Sequence, residues 1–232
     1  MPYRRLPTTD AARLRALKAA ADKADNFELD DLAFESRYIH PLRNYHQQLE
    51  TVKFQQTQSW TQLVSQNKQF QQIIEKTKLY LTHFVQVLNM GITRDELTPE
   101  TRRFYGLDPN NKKVPKMISN EDLFNVGKQI IEGESKRIRT GGTPIMNPTI
   151  AKVNVWYDSF KDLYHSQQIT NKSYQRANHQ LIEIRRKIDI ILPLLWNQIE
   201  EKFEPFDESE RRNKCQEYGI IYIFRKNEKS ST

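Results

Sequence analysis

The sequence is poor in cysteine, in glycine and in long apolar runs, and each shortage argues against a class of protein. Cys215 is the only cysteine, so no disulfide can form within the chain, and such sparing use of thiols is typical of a reducing cytoplasm. Seven glycines in 232 residues are few for a fold rich in tight turns. The densest apolar stretch, 188–196, is interrupted by Asp189 and falls short of the roughly 20 residues of a membrane span. We therefore predict a cytoplasmic, all-α protein without a membrane segment.

Two long stretches carry apolar residues at heptad spacing. The first seam runs from Leu42 to Val87 and the second from Val153 to Leu195, and both are apolar at their ends and polar in the middle. In the middle of the second, Thr170 offers a helix-capping oxygen, and its neighbours resemble a fresh helix start. We therefore favour a helical hairpin within 148–203 and, by analogy, within 42–87. One continuous helix in each stretch is the alternative.

The two halves of the sequence resemble each other. The segment 67–71 matches 171–175 at an offset of 104 residues, and each half closes with paired arginines and a Tyr-Gly-aliphatic triplet. The common order of these matches indicates a diverged tandem duplication. We predict one helical repeat over 1–110, a linker over 111–118, a second repeat over 119–216, and a C-terminal strand and tail over 217–232. The expected fold is an elongated helical bundle of two repeats related by a pseudo-twofold axis.

The end of the chain has the strongest β-strand pattern in the sequence. Tyr218, Ile220, Tyr222 and Phe224 alternate with a glycine, two isoleucines and an arginine. A lone strand cannot satisfy its own backbone, so it pairs either with another extended segment, for which 114–118 is a candidate, or with a second molecule. A short structural ribbon that seals the end of the bundle is one interpretation. Strand addition to a protein partner is the other, with these four residues as candidate partner-binding positions.

A search for reactive groups finds no catalytic, cofactor or metal constellation. His46 and Glu50, like His179 and Glu183, have the i, i+4 spacing of metal ligands on one helix face, but both histidines lie off the seams, toward solvent. Cys215 has basic neighbours in sequence but no histidine within the last fifty residues to act as a base. We therefore predict no catalytic residue, no metal and no cofactor, and expect that the chain is not an enzyme.

Basic residues recur along the chain, which has a formal net charge of +7. A basic segment with two glycines spans 137–144 but lacks the lysine-serine/threonine ending of a phosphate-binding P-loop. If several cations share one surface, that surface can bind a phosphate backbone without reading its sequence. Solvated helix faces are the other interpretation. The candidate anion-binding residues are Arg137, Arg139, Arg185, Arg186, Arg211 and Arg212.

The chain opens with Met-Pro-Tyr-Arg-Arg-Leu-Pro within residues 1–14, and residues 211–220 read Arg-Arg-Asn-Lys-Cys-Gln-Glu-Tyr-Gly-Ile. These two segments resemble a family of uncharacterised helical proteins from Bacteroidetes bacteria, and the resemblance covers only these ends of the chain. It implies a bacterial cytoplasmic setting and supplies no catalytic residues. We predict a non-enzymatic interaction or scaffold protein that binds another protein or a second copy of itself through helix faces and the C-terminal strand. The alternative is a sequence-tolerant nucleic-acid-binding protein.

Overall fold

The structure is a computed structural model that describes residues 3–26 and 31–224. The described chain is largely α-helical, with a two-stranded ribbon, and this confirms the predicted all-α class with a short C-terminal strand. In chain order the elements are β1 (Tyr3–Arg5), α1 (Asp10–Asn26), a 3-10 helix (Ser36–Tyr38), α2 (Ile39–Thr93), a second 3-10 helix (Pro99–Tyr105), α3 (Asn120–Arg139), α4 (Ile150–Lys202), α5 (Glu208–Glu217) and β2 (Ile221–Ile223).

The two heptad seams belong to two uninterrupted helices, α2 and α4, so the favoured hairpin interpretation is wrong in both stretches. The polar middle of each seam does not break its helix. Thr170, expected to be a cap, donates its hydroxyl hydrogen to the carbonyl of Ser166 one turn earlier, 3.0 Å away, as helix-interior threonines do. A helix start at this place would also bury Ile169 against Tyr174 as a hydrophobic staple, but the Ile169 side chain is 70 % exposed. Pro193 lies inside α4 without ending it.

The chain forms two compact units, and these do not follow the predicted repeat boundaries. Unit 1 comprises residues 1–59 and 173–232, and unit 2 comprises 60–172. The helices α2 and α4 are each continuous, and each contributes residues to both units. The predicted linker, 111–118, contains no helix or strand, but it lies inside unit 2 rather than between the units. The tandem duplication and the repeat boundaries that follow from it stay predictions, because a division into compact units does not test ancestry.

In unit 1, the helices α2 and α4 run antiparallel, because Gln56 hydrogen-bonds to Asn178 and Ser59 lies 3.5 Å from Ser173. Their seam residues form the core together with α1, α5 and the segment 32–34. The seam core on the two long helices comprises Leu42, Leu49, Val52, Ala177, Leu181, Ile184, Ile188, Ile191 and Leu195. Leu17, Ala16 and Ala20 bring α1 into this core.

Two bidentate ion pairs fasten α1 onto α4. Arg185 donates from Nε and Nη2 to both carboxylate oxygens of Asp10, at 2.7 and 2.6 Å. Arg13 donates in the same way to Asp189, at 2.8 and 2.7 Å. Two parallel N–H···O bonds per pair fix the orientation of both partners, so these contacts set the register of α1 along α4.

The ribbon of unit 1 joins segments from opposite ends of the sequence. β1 and β2 are antiparallel, with Tyr3 opposite Ile223 and Arg5 opposite Ile221. The suggestion that 114–118 pairs with the C-terminal strand is therefore wrong, since three residues near the start of the chain occupy that place. The strand is also shorter than its alternating pattern, because Tyr218 caps α5 and Gly219 turns the chain with a φ of 86°.

Unit 2 has a core rich in aromatic rings. Phe70 of α2 stacks on Phe160 of α4 with ring centroids 6.0 Å apart, and Tyr80 stacks on Trp156 at 5.9 Å. The helix α3 contributes Leu123 and Ile130 to this core. It begins with a capping box, in which the Ser119 side chain accepts from the backbone of residue 122 and the carboxylate of that residue accepts from the Ser119 backbone. The second 3-10 helix supplies Tyr105 to the same core.

Candidate binding groove in unit 1

An open groove of about 610 Å³ lies between α2 and α4 in unit 1. Its position follows from helical geometry. Thr51 precedes the core residue Val52, and Lys187 precedes the core residue Ile188, so a step of about 100° turns these polar residues to one side of the seam. The lining residues are Asn44, Gln47, Gln48, Thr51, Val52, Gln55, Gln180, Glu183, Ile184 and Lys187.

The other side of the same helix pair is covered by α1. The α4 residues that hold α1, Arg185 and Asp189, each follow a core residue by one position, whereas Glu183 and Lys187 each precede one. Steps of about +100° and −100° from the seam point to opposite sides of a helix. The groove is therefore the side of the α2–α4 pair that α1 leaves uncovered.

Uncharged hydrogen-bonding side chains dominate the groove. Asn44, Gln47, Gln48, Gln55 and Gln180 supply five carboxamides. Each carboxamide presents two N–H donors and a carbonyl acceptor, so the wall can both donate and accept. A narrow apolar floor is formed by two core residues, Val52 and Ile184, of which 8 % and 7 % remain exposed.

Internal hydrogen bonds use only part of this capacity. Gln48 donates to the Asn44 side chain at 2.9 Å, and the Thr51 hydroxyl donates to the backbone carbonyl of Gln47 at 2.8 Å. In the part of the chain that the structure describes, no hydrogen bond engages the side chains of Gln55 and Gln180. The groove thus keeps several free donors and acceptors for a ligand.

The charged residues of the groove are one acid and one base on the same helix face. Glu183 and Lys187 lie one turn apart on α4, so their charges balance. Glu183 also accepts from Arg186 at 2.9 Å. Among the described residues, the lining holds a single carboxylate, that of Glu183, and no histidine or cysteine.

The candidate residues of the C-terminal strand divide between the core and the surface. Tyr218 and Ile220 are buried, and Tyr222 is half-buried with its hydroxyl donating to Glu200 at 2.7 Å. Phe224 is 42 % exposed. Two of the four side chains are thus packed inside unit 1, and the segment forms the ribbon that was one of the two interpretations of its pattern.

The six candidate arginines lie in different settings. In unit 2, Arg137 is buried and paired with Glu134, while Arg139 is exposed. In unit 1, Arg185 pairs with Asp10 and Arg186 with Glu183, and Arg212 lies 3.3 Å from Glu208. The remaining arginine, Arg211, is half-buried. Ion pairs therefore already engage four of the six guanidinium groups.

Arg137 belongs to a buried polar cluster that the sequence did not reveal. The Glu134 carboxylate accepts from Arg137 Nε and Nη2 at 2.8 and 2.9 Å, from the Tyr105 hydroxyl, and from the Ile145 backbone N–H at 2.9 Å. Arg137 also donates to the Thr143 carbonyl at 2.6 Å. The segment 137–144, considered as an anion site, thus begins in α3, and its following turn is tied back to α3 by Arg137, which the chain's own Glu134 carboxylate holds in place.

The electrostatics of this cluster follow from burial and pairing. Burial alone raises the pKa of Glu134, but the hydrogen bonds from Arg137, Ile145 and Tyr105 and the charge of Arg137 outweigh it and hold the pKa below its ordinary value. Burial and the Glu134 carboxylate raise the pKa of Tyr105. A fully buried cluster of this kind fixes structure, because no substrate can reach it.

The other groups weighed as reactive are placed as follows. His46 Nδ1 lies 3.5 Å from the carboxylate of Glu50, and His179 is exposed. Across residues 3–26 and 31–224, no three His, Cys, Asp or Glu side chains gather in a way that could hold a metal ion. Cys215 is buried in α5, and this burial raises the pKa of its thiol.

No family model, curated protein or solved structure matches the chain. Of the helices that the structure describes, none has the length and apolar character needed to cross a bilayer.

Proposed function

We propose that this chain is a non-enzymatic interaction protein whose unit 1 binds a protein partner through the groove between α2 and α4. The observation that carries the proposal is the open, carboxamide-lined face of the α2–α4 pair, on the side opposite α1. A bacterial cytoplasmic setting is part of the proposal, supported by the sparing use of cysteine and by the two terminal segments that resemble Bacteroidetes proteins.

A protein surface matches this groove better than a charged ligand does. The glutamine and asparagine side chains can pair with peptide groups and with polar side chains, and the charges of Glu183 and Lys187 cancel. The apolar floor at Val52 and Ile184 adds a strip that a helix can pack against. A phosphate backbone, in contrast, requires several unpaired cations on one face.

Site-specific photo-crosslinking tests the proposal. The full chain with p-benzoylphenylalanine in place of Gln180 is expected to form a light-dependent adduct with a protein in its native cells. The matched control places the same group at Glu75, which is exposed on the part of α2 that belongs to unit 2. Equal labelling at both positions, or none at Gln180, would contradict the proposal.

A further inference from the structure

We infer that the partner in the groove is a second copy of this chain, whose α4 lies antiparallel to α4 of the first copy across a two-fold axis near residue 185. This inference rests on the proposed function and names its partner. A two-fold contact is formed by the same patch on both subunits, so the patch must be complementary to itself. The groove meets this requirement in its uncharged and its charged residues.

The uncharged lining is self-complementary because each carboxamide both donates and accepts. Gln47, Gln55 and Gln180 can therefore pair with the same residue types on a second copy without leaving a like group unmatched. A predominantly acidic partner would instead use only the N–H donors of these amides, and a predominantly basic partner would use only their carbonyl acceptors. The lining thus favours a partner with the same mixed character as the groove itself.

The charged lining has opposite signs placed symmetrically about one point. Glu183 and Lys187 lie four residues apart on α4, with their midpoint at residue 185. When two such helices meet antiparallel about that midpoint, Glu183 of each copy faces Lys187 of the other. The contact then contains two equivalent ion pairs, whereas a parallel arrangement in register would place like charges together.

Apolar surface beside the groove extends this contact. A helix can pack between two antiparallel helices at axis separations of about 8–10 Å, with its side chains entering the groove. Ile190, which is 66 % exposed, lies one turn beyond Lys187 on α4 and extends the contact with apolar surface. The two-fold axis brings Ile190 of one copy to Gln180 of the other, at the ends of the interface.

Charge exchange tests this geometry by sedimentation equilibrium of the full chain over a range of concentrations. The unaltered chain is expected to form dimers. Glu183→Lys and Lys187→Glu each convert both ion pairs into like-charge contacts, so each variant should raise the dimer dissociation constant at least about tenfold. The double variant exchanges the two signs and should restore dimers, since every contact is again between opposite charges.

A mixture of the two single variants tests the predicted ion pairs most directly. In their heterodimer, one copy carries lysine at both positions and the other carries glutamate at both, so each contact joins opposite charges. An equimolar mixture should therefore dimerise more tightly than either variant alone. Glu75→Lys, an exposed charge reversal in unit 2, is the matched control and should leave the dissociation constant unchanged. Circular dichroism of each variant checks that loss of the Glu183–Arg186 contact has not altered the helices.

The result that overturns the inference is a chain that stays monomeric at all concentrations, or a dimer that the single variants do not weaken. Failure to restore dimers in the mixture or in the double variant would also overturn it. The photo-crosslinked product separates this failure from that of the proposed function. If the adduct at Gln180 contains a different protein, the groove still binds a partner, and that partner is not a second copy of this chain.

Discussion

Replacing Glu134 with glutamine should destabilise unit 2 strongly, although the new side chain has nearly the same size. The carboxylate is fully buried, and the Arg137 side chain that it pairs with is only 4 % exposed. Glutamine keeps one acceptor oxygen but cannot neutralise the guanidinium, so Arg137 is left as a buried charge without its counter-ion. The Tyr105 hydroxyl and the Ile145 N–H compete for the one oxygen that remains.

The magnitude follows from the cost of breaking a buried ion pair. Removing one partner of such a pair typically costs about 3–5 kcal/mol, and the equal size of glutamine adds little cavity cost. We therefore expect the free energy of unfolding of unit 2 to fall by about 3 kcal/mol. Hydrogen exchange at the Ile145 amide, combined with urea unfolding, measures this loss. Glu132→Gln, at an exposed position of the same helix, should change stability by less than about 0.5 kcal/mol.

The same variant has a predicted pH signature. Because the folded-state pKa of Glu134 lies below its ordinary value of 4.5, ionisation of this group stabilises the folded state. That contribution is fully present above about pH 4.5 and is lost as the pH falls through the lower, folded-state pKa. The difference between the unaltered chain and Glu134→Gln should therefore narrow below about pH 4.5. A loss under about 1 kcal/mol at pH 7, or a difference that is constant down to about pH 3, would refute this account.

Three further predictions concern other contacts. Gly133→Ala places a methyl group 2.4 Å from the Phe104 carbonyl oxygen, so it should lower the melting temperature despite the higher helix propensity of alanine; an unchanged or higher value would contradict this close approach. The Cys215 thiol should react with a thiol reagent only after unfolding, because it is buried and its pKa is raised; rapid labelling of the folded chain would contradict its placement. Asp10→Asn should cost about 1–2 kcal/mol at pH 7 in urea unfolding. The hydrogen bonds from Arg185 lower the pKa of Asp10 below 3.8, so this cost should shrink as the pH falls below 3.8, and a cost independent of pH would contradict the pair.

Heptad spacing predicted the interface between the two long helices well. Leu49, Phe84, Phe160 and Ile188 are all buried, as expected from their periodicity. The seam did not reveal a second buried stripe on α2, in which Leu81, Val85 and Leu88 also lie in the core. That core also includes residues of α3. A heptad seam predicts the contact between two helices and does not show which residues face a third.

The continuity of the helices could not be judged from the polar middle of each seam. Capping residues and interior polar residues look alike in sequence, since threonine serves in both places. What distinguishes them is where the hydroxyl bonds, and for Thr170 that is the preceding turn of its own helix. Gln56 similarly finds a polar partner, Asn178, on the facing helix. A polar layer whose members are satisfied does not need a break in the chain.

The candidate groove gave almost no signal in the sequence. Its polar residues occupy positions beside the seam, where a solvated helix face is expected, and nothing in the spacing distinguishes a free face from a binding face. A free face differs from a covered face only in where α1 lies. Two ion pairs fix the position of α1, Asp10 with Arg185 and Arg13 with Asp189, and their residues are 175 and 176 positions apart in sequence. Contacts of that separation leave no local pattern.

The division of unit 1 into two distant pieces of sequence has a consequence for folding during synthesis. Residues 60–172 form a continuous segment and can collapse into unit 2 as soon as they leave the ribosome. The first 59 residues must wait until residues beyond 173 emerge, because Leu17 and Leu42 share a core with Leu181 and Leu195. At ordinary elongation rates, about 5–20 residues per second, this delay lasts many seconds, during which the apolar side of α1 is open to chaperones.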